Sequence, residues 1–375
     1  MIDLAAARET FEGSADFTVG LEEEFALVDP HTLELIPRFE LLRDAAASDP
    51  VLSKSIAGEL ISSEIEIRSG VGSDVEDARL RQAEARRRLY ALARDHGVAL
   101  GATGTHPLSD YREQHIIDTD HYRRVEEGLK YVAWRNNTFS LHVHVGINGA
   151  ERAVRVCDRL RPVLPLLLAV SANSPFVDGR DSGLHSGRSQ TFTKSFPRCG
   201  VPDAFGSWRA WEEYVAMLVR TRSIVEFTQL WWSVRPHHDF GTVEVRVCDA
   251  QMTAAEADGL AELIAACVRR AAAEVDAGDL PPDLPHRLIE ENMWRAIRYG
   301  LDGHLLDLDA DPIEEFPAAE TLDRLNAGAG SDVVLPEANG AQRQRRLIEA
   351  GATPAEVYAA CLAETHATYF EETLR

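Results

Sequence analysis

The chain has 375 residues, of which 39 are Lys or Arg and 61 are Asp or Glu, giving a formal net charge of −22. So acidic a balance excludes binding to nucleic acid or an anionic membrane by bulk electrostatics, while still permitting a local basic pocket for phosphates. With 45% hydrophobic and 27% charged residues the makeup is that of a water-soluble globular protein, long enough for a sizeable core. The longest apolar stretch, residues 163–172, contains Pro165 and is about half of what a membrane span needs. The first 17 residues lack a basic segment followed by an apolar run, so no signal peptide is expected. Five scattered cysteines (Cys157, Cys199, Cys248, Cys267, Cys361), with no C-x-x-C, predict reduced thiols in a cytoplasmic protein.

In chain order, residues 1–14 read as an N-terminal arm ahead of one catalytic domain, 15–375, with no clean internal boundary. Residues 19–27 alternate with period two: Leu21, Phe25 and Leu27 face one way, Glu22 and Glu24 the other. Glu23 falls among the apolar set, which predicts a sheet end or a salt bridge. Residues 61–68 alternate likewise, with Ile65 and Ile67 opposite Glu64, Glu66 and Arg68. Ser73-x-x-Glu76 is a capping-box pattern and predicts a helix running to Asp95 before Gly97. Residues 141–147 are a third strand, with Leu141, Val143, Val145 and Ile147 on one face and His142, His144 and Gly146 on the other. A helix over 151–161 ends near Pro162. The Gly-, Ser- and Pro-rich stretch 174–206 reads as a binding loop, and a helix follows over 207–221. The fourth strand, 242–248, sets Val243, Val245 and Val247 against Thr242, Glu244 and Arg246, with Cys248 the one cysteine on the polar face. Helices follow from Thr253 to about residue 275, over 287–299, and from Thr353-Pro-Ala-Glu356, where an N-cap, a Pro at the first position and a Glu at the third coincide. Residues 326–340 are the expected flexible piece.

Taken singly, each polar strand face reads as a solvated surface or an ion pair. Four such strands in one chain, each with an opposite face fit for a core, predict an α+β layer with a shared sheet. Glu22, Glu24, Glu66, Glu244, His142 and His144 then converge, and carboxylates that close repel unless a cation sits among them. Oxygen-rich ligands with one or two imidazoles suit Mg²⁺ or Mn²⁺ better than structural zinc, and such ions hold nucleotide phosphates. Arg246, Arg235, Arg188 and Lys194 are the candidate phosphate contacts. No Gly-x-x-x-x-Gly-Lys-Ser/Thr or Gly-x-Gly-x-x-Gly is present, so an ATP site here is neither Walker- nor Rossmann-type.

At these residues the sequence resembles the type 2 glutamate–cysteine ligases, the YbdK-type carboxylate–amine ligases. The resemblance lies in Thr18-Val-Gly-Leu-Glu-Glu-Glu-Phe25, Glu64-Ile-Glu-Ile67, Gly104-Thr-His-Pro107, His142-Val-His-Val-Gly146, Ser171-Ala-Asn-Ser-Pro175, Arg235-Pro236, Phe240-Gly-Thr-Val-Glu-Val-Arg-Val247 and Arg298-Tyr-Gly-Leu301. It implies a glutamine synthetase-like fold: a curved, mainly antiparallel sheet with the active site on its concave face and helices on the other. It implies ATP, two or more Mg²⁺ ions, and coupling of a carboxylate, the γ-carboxylate of glutamate, to an amine such as cysteine. By motif, Glu22, Glu24, Glu66, His144 and Glu244 correspond to metal positions and His142 to the nucleotide. Glu244 and Arg246 are the expected catalytic pair. Arg246, Arg235, Arg188 and Lys194 are expected at the nucleotide, and Gly104, Thr105, His106 and Arg235 at the substrate. Ser140 stands where many members have Gly. A homodimer is the expectation from general frequency. Two rival readings remain at this point: a metal-dependent hydrolase of the amidohydrolase kind, since His-x-His on a strand is shared, and a non-catalytic nucleotide or amino-acid sensor on the ligase fold.

Overall fold

The computed structural model describes residues 2–278 and 283–371. Its centre is a seven-stranded sheet in which every pairing is antiparallel. The strands are β1 (Val19–Val28), β2 (Ile56–Ala57), β3 (Glu64–Arg68), β4 (Ala99–Gly101), β5 (Ser140–Gly146), β8 (Val234–His237) and β9 (Thr242–Asp249), in the spatial order β2-β3-β1-β5-β9-β8, with β4 also paired to β1. Two small hairpins lie outside it, β6 (Phe176–Val177) with β7 (Arg180–Asp181), and β10 (His304–Asp307) with β11 (Glu314–Pro317).

Strand alternation decides which face is which. Leu21, Phe25, Ile65, Ile67, Leu141, Val143, Val145, Val243 and Val245 are all buried in the main core. Against them pack the helices Val75–Asp95, Ala150–Leu160, Leu164–Ser171 and Ala254–Ala277, each contributing buried apolar residues to the same core. Burial of that one face is what pins the register, because a slip of one residue would turn the whole apolar set outward. Glu23 sits on the core side, and its salt bridge is there: Arg86 donates to it at 2.6 and 3.0 Å, Gln82 at 2.8 Å and the Tyr369 hydroxyl at 3.2 Å.

Helix ends follow their caps with one exception. Thr353 and Glu356 form the reciprocal capping box expected, and Thr253 caps Ala254–Ala277. The Val75–Asp95 helix is capped by Asp74, which accepts from the Asp77 amide, so Ser73 lies one residue outside the cap. Two segments are more structured than their composition predicts. Leu4–Glu12 is a helix with Phe11 fully buried against Trp208, where an arm was expected. Residues 326–340, expected to flex, begin in the helix Thr321–Ala329. Asn326 then bonds the Val333 carbonyl at 2.8 Å, and Asn339 caps Gly340–Glu349 while bonding the Ala169 carbonyl at 2.9 Å.

Candidate active site

The polar face of the sheet is the floor of a cleft of about 310 Å³. Cross-strand register assembles it. Glu22 lies opposite Arg68 on one side and His142 on the other, Glu24 opposite Glu66, His144 opposite Glu244, and Glu244 opposite Arg235. Paired residues share a face and stand within side-chain reach, so this register alone brings residues more than 200 positions apart into one surface.

Two groups of three side chains place ligand atoms within 4.8 Å of one another: Glu22, His144 and Glu244, and Glu24, Glu59 and Glu66. Glu59 escapes the sequence reading because it precedes β3 in no alternating pattern; its neighbour Gly58 lies against Phe39. Of the two imidazoles, His144 rather than His142 joins the first group. Its Nδ1 is occupied by Thr242 Oγ1 at 3.0 Å, and its Nε2 faces Glu22 at 3.5 Å and Glu244 at 3.8 Å with no hydrogen bond formed. A third group, His237, His238 and Asp239, lies at the end of β8.

Ser140 has a use that a glycine could not supply. Its amide and hydroxyl donate to Glu24 Oε2 at 2.5 and 2.6 Å, and its Oγ lies 2.7 Å from His142 Nε2. The other ring nitrogen, Nδ1, lies 3.1 Å from Glu22 Oε2 and 3.4 Å from Arg246 Nη1.

Electrostatics divide the floor. Burial opposes the charge on Glu244, but Arg235 and Arg246 outweigh it and hold that carboxyl well below the usual range. Burial likewise opposes charge on Glu22, and His144 and His142 prevail over it. On His144 burial works against the proton, yet Glu244 and Glu22 raise the imidazole above its ordinary value, while burial and Arg246 lower His142. The other group is frustrated. Burial, with repulsion from Glu22, pushes Glu66 up to about 7; burial and neighbouring carboxylates raise Glu59 and Glu64 well above the carboxylate range. Four carboxylates (Glu24, Glu59, Glu64, Glu66) share this end, and the nearest cation pair is Arg68 with Glu66.

The remaining expected residues separate cleanly. Arg235, Arg246 and Arg188 line the cleft. Arg188 is anchored by the carbonyls of Val247 and Arg246 at 3.2 and 3.1 Å, and Arg246 pairs with Glu244. Lys194 is not among the lining residues; it pairs with Glu290 on the helix His286–Tyr299. Gly104, Thr105 and His106 do not line it either. They lie beyond β4, where Gly104 packs on the Asp249 carboxylate so closely that a Cβ would meet its Cγ at 2.6 Å. Thr105 donates to the Phe176 carbonyl at 2.7 Å, and the His106 ring is buried against Tyr358. Cys248 is turned into the core. A bulge in β9 sets Leu141 opposite Cys248 but Val143 opposite Val245, so the extra residue flips the face.

The model of glutamate–cysteine ligase family 2 matches residues 18–370. The chain belongs to glutamate–cysteine ligase family 2. A relative from Rubrobacter xylanophilus, provisionally named glutamate–cysteine ligase 2-2, is 40% identical over 324 residues, 86% of this chain and 83% of its own. The glutamate–cysteine ligase of Natronomonas pharaonis is 35% identical over 347 residues, covering 92% of this chain and 94% of its own. Among solved structures, the glutamate–cysteine ligase of Francisella tularensis in complex with AMP superposes with a TM-score of 0.70 at 11% identity, over 95% of this chain and 90% of that one. A bifunctional glutathione synthetase from Pasteurella multocida gives 0.68 at 13% identity, over 98% of this chain and 54% of that one. At such identities the likeness is one of fold, and the fold is that of the glutamine synthetase-like ligases. As a member of family 2 the protein is a carboxylate–amine ligase, which sets aside the hydrolase reading. No helix among the described residues is long and apolar enough to cross a membrane.

Proposed function

We propose that this family 2 ligase uses ATP to activate the γ-carboxylate of glutamate as an acyl phosphate and couples it to an amine, cysteine being the one in the family name. The observation that carries the reading is the pair of three-residue ligand groups on one sheet face, inside one cleft that three arginines also line. The residues fit divalent cations: His144 Nε2 is buried without a hydrogen bond, and Glu24, Glu59 and Glu66 crowd one another. Glu22, His144 and Glu244 would hold one Mg²⁺ or Mn²⁺, and Glu24, Glu59 and Glu66 a second. When bound, these ions neutralise charge on the β- and γ-phosphates of ATP.

The chain's own groups then have separable tasks. Arg246, set beside Glu244 with its Nε unpartnered, faces the cleft as a donor to phosphoryl oxygen. Arg235 keeps Glu244 ionised and oriented. The carboxylate oxygen of the acid attacks the γ-phosphorus and ADP leaves; the amine then attacks the activated carbonyl and phosphate leaves. The 174–206 loop brings Arg188, Phe192 and Phe196 to the cleft wall, where they shield an acyl phosphate from water. The test is an ADP-release screen with glutamate as acid against a panel of amino acids and simple amines, with and without Mg²⁺. ADP formed only with glutamate, an amine and Mg²⁺ together is the expected result. ATP binding without ADP from any pair would favour the sensor instead.

A further inference from the structure

Of the seven carboxylates that line the cleft, the two ligand groups take five, Asp239 belongs to the third group with His237 and His238, and Glu64 is left over. Glu64 is 1% exposed, lines the cleft, and its Oε2 has no hydrogen-bond partner. The register explains why: opposite Glu64 on β1 stands Ala26, which offers no cation, whereas Glu66, two pairs along, has Arg68 beside it. A buried, unpartnered carboxylate oxygen at the wall of a substrate cleft is costly unless a cationic donor arrives with the ligand. A metal is a poor candidate for that donor, because Glu64 joins neither three-residue group. Across this end lies Arg188, whose guanidinium is fixed by the Val247 and Arg246 carbonyls, stands 3.8 Å from the Asp249 carboxylate, and is near enough to act on Glu64 electrostatically. A guanidinium and an unpartnered carboxylate oxygen at one end of a cleft match the carboxylate and ammonium of an α-amino acid head group.

We infer that Glu64 is the residue that recognises the α-ammonium of the acid substrate, so that the protein selects an amino acid over the corresponding plain dicarboxylate. This rests on the ligase reading above. The chemistry gives the contact a second consequence. In a γ-glutamyl phosphate the α-nitrogen, once it has lost a proton, can attack its own γ-carbonyl carbon. A C–N bond forms, the C–O bond to phosphate breaks, phosphate leaves, and the nitrogen sheds its remaining extra proton to give 5-oxoproline. A carboxylate held against the ammonium keeps that nitrogen protonated and its lone pair engaged, which suppresses the side reaction until the external amine attacks.

The experiment compares L-glutamate with glutarate, which lacks only the ammonium, on wild type, Glu64→Gln and Glu64→Asp. Binding is read by calorimetry, and turnover by ADP release and by the fraction of 5-oxoproline among products. Glu64→Gln is expected to lower the preference for glutamate over glutarate at least tenfold in kcat/KM, to raise the 5-oxoproline fraction, and to leave the half-saturating Mg²⁺ concentration unchanged. Glu64→Asp, which keeps the charge, is expected to restore part of the preference. An unchanged preference overturns the inference, as does a shift in half-saturating Mg²⁺, which would make Glu64 a metal ligand. Calorimetry separates this from the ligase reading. Without turnover, a Glu64-dependent preference for glutamate over glutarate still sustains the inference, and wild type that binds no L-glutamate overturns it.

Discussion

Arg235 donates from Nε to Glu244 Oε2 at 2.6 Å and from Nη2 to Glu244 Oε1 at 3.3 Å, joining β8 to β9 through a carboxylate with no exposed surface. Its Nη1 donates to the Leu230 carbonyl at 2.6 Å and to the Thr228 carbonyl at 3.4 Å, so the guanidinium is fixed from both sides. Glu244 is thereby the meeting point of two arginines and an imidazole, and its charge is what reconciles them. Glu244→Gln keeps the shape but strands buried cationic groups, a change that costs about 3–5 kcal/mol. The expected outcome is loss of ADP release by at least a hundredfold together with a lower urea midpoint. Near-normal turnover would remove Glu244 from the chemistry.

Glu23 and Arg86 make the matching contact on the opposite face, where no ligand reaches. Both are buried in the core, and Arg86 also pairs with Asp258 at 2.9 Å. Glu23→Gln should cost about 3–5 kcal/mol of unfolding free energy in urea while leaving the KM for ATP unaltered. A rise in the KM for ATP, or a loss of ADP release as large as in the Glu244 variant, would show that the two faces of β1 are not independent.

His106 supplies a pH dependence away from the cleft. Its Nδ1 accepts from the amides of Leu108 and Ser109 at 3.2 and 3.0 Å, and its Nε2 lies 2.8 Å from the Leu33 carbonyl, a pattern that only the neutral ring can satisfy. Burial lowers its pKa to about 4, against 6.5 for the unperturbed side chain. Between those values the unfolded chain binds the extra proton, so the contribution of His106 is intact above pH 6.5 and disappears as the pH falls through 4. It amounts to about 3 kcal/mol. The stability gap between wild type and His106→Asn in urea should therefore shrink from pH 7 to pH 4.5. A gap that stays constant would mean the ring is not held neutral.

The five cysteines are free, and burial pushes Cys199 up to about 11 and Cys248, Cys267 and Cys361 up to about 12. Thiolate is the reactive form, so native protein at pH 7 should react slowly with iodoacetamide and keep its ligase activity. Five thiols should become reactive in denaturant. Rapid inactivation by one equivalent would point to a cysteine in the cleft.

The sequence was most readable where side-chain alternation and burial agree. Four of the seven sheet strands, and the assignment of Glu22, Glu24, Glu66, His142, His144 and Glu244 to one face, follow from period two alone. What escaped it has local causes. Glu59 belongs to no alternating run, and β8 is only four residues long and contains Pro236, which hides it among turn residues. The β9 bulge is a single-residue event that period counting cannot detect, and it alone moves Cys248 from the cleft face to the core. The Gly104–His106 segment sits in a stretch that carries the family resemblance, whereas Lys194 is a candidate by residue type alone. Their partners here are Glu290, the Asp249 carboxylate and the Leu33 carbonyl, contacts that only the three-dimensional arrangement makes visible.

Two separate acidic groups on one sheet face are each expected to hold a divalent ion for the nucleotide. Counting Mn²⁺ bound per chain by electron paramagnetic resonance, in the presence of a non-hydrolysable ATP analogue, tests it without relying on turnover. Two ions are expected in wild type, with Glu22→Gln losing one and Glu66→Gln losing the other. Wild type that binds no Mn²⁺, or both variants retaining two ions, would contradict the account.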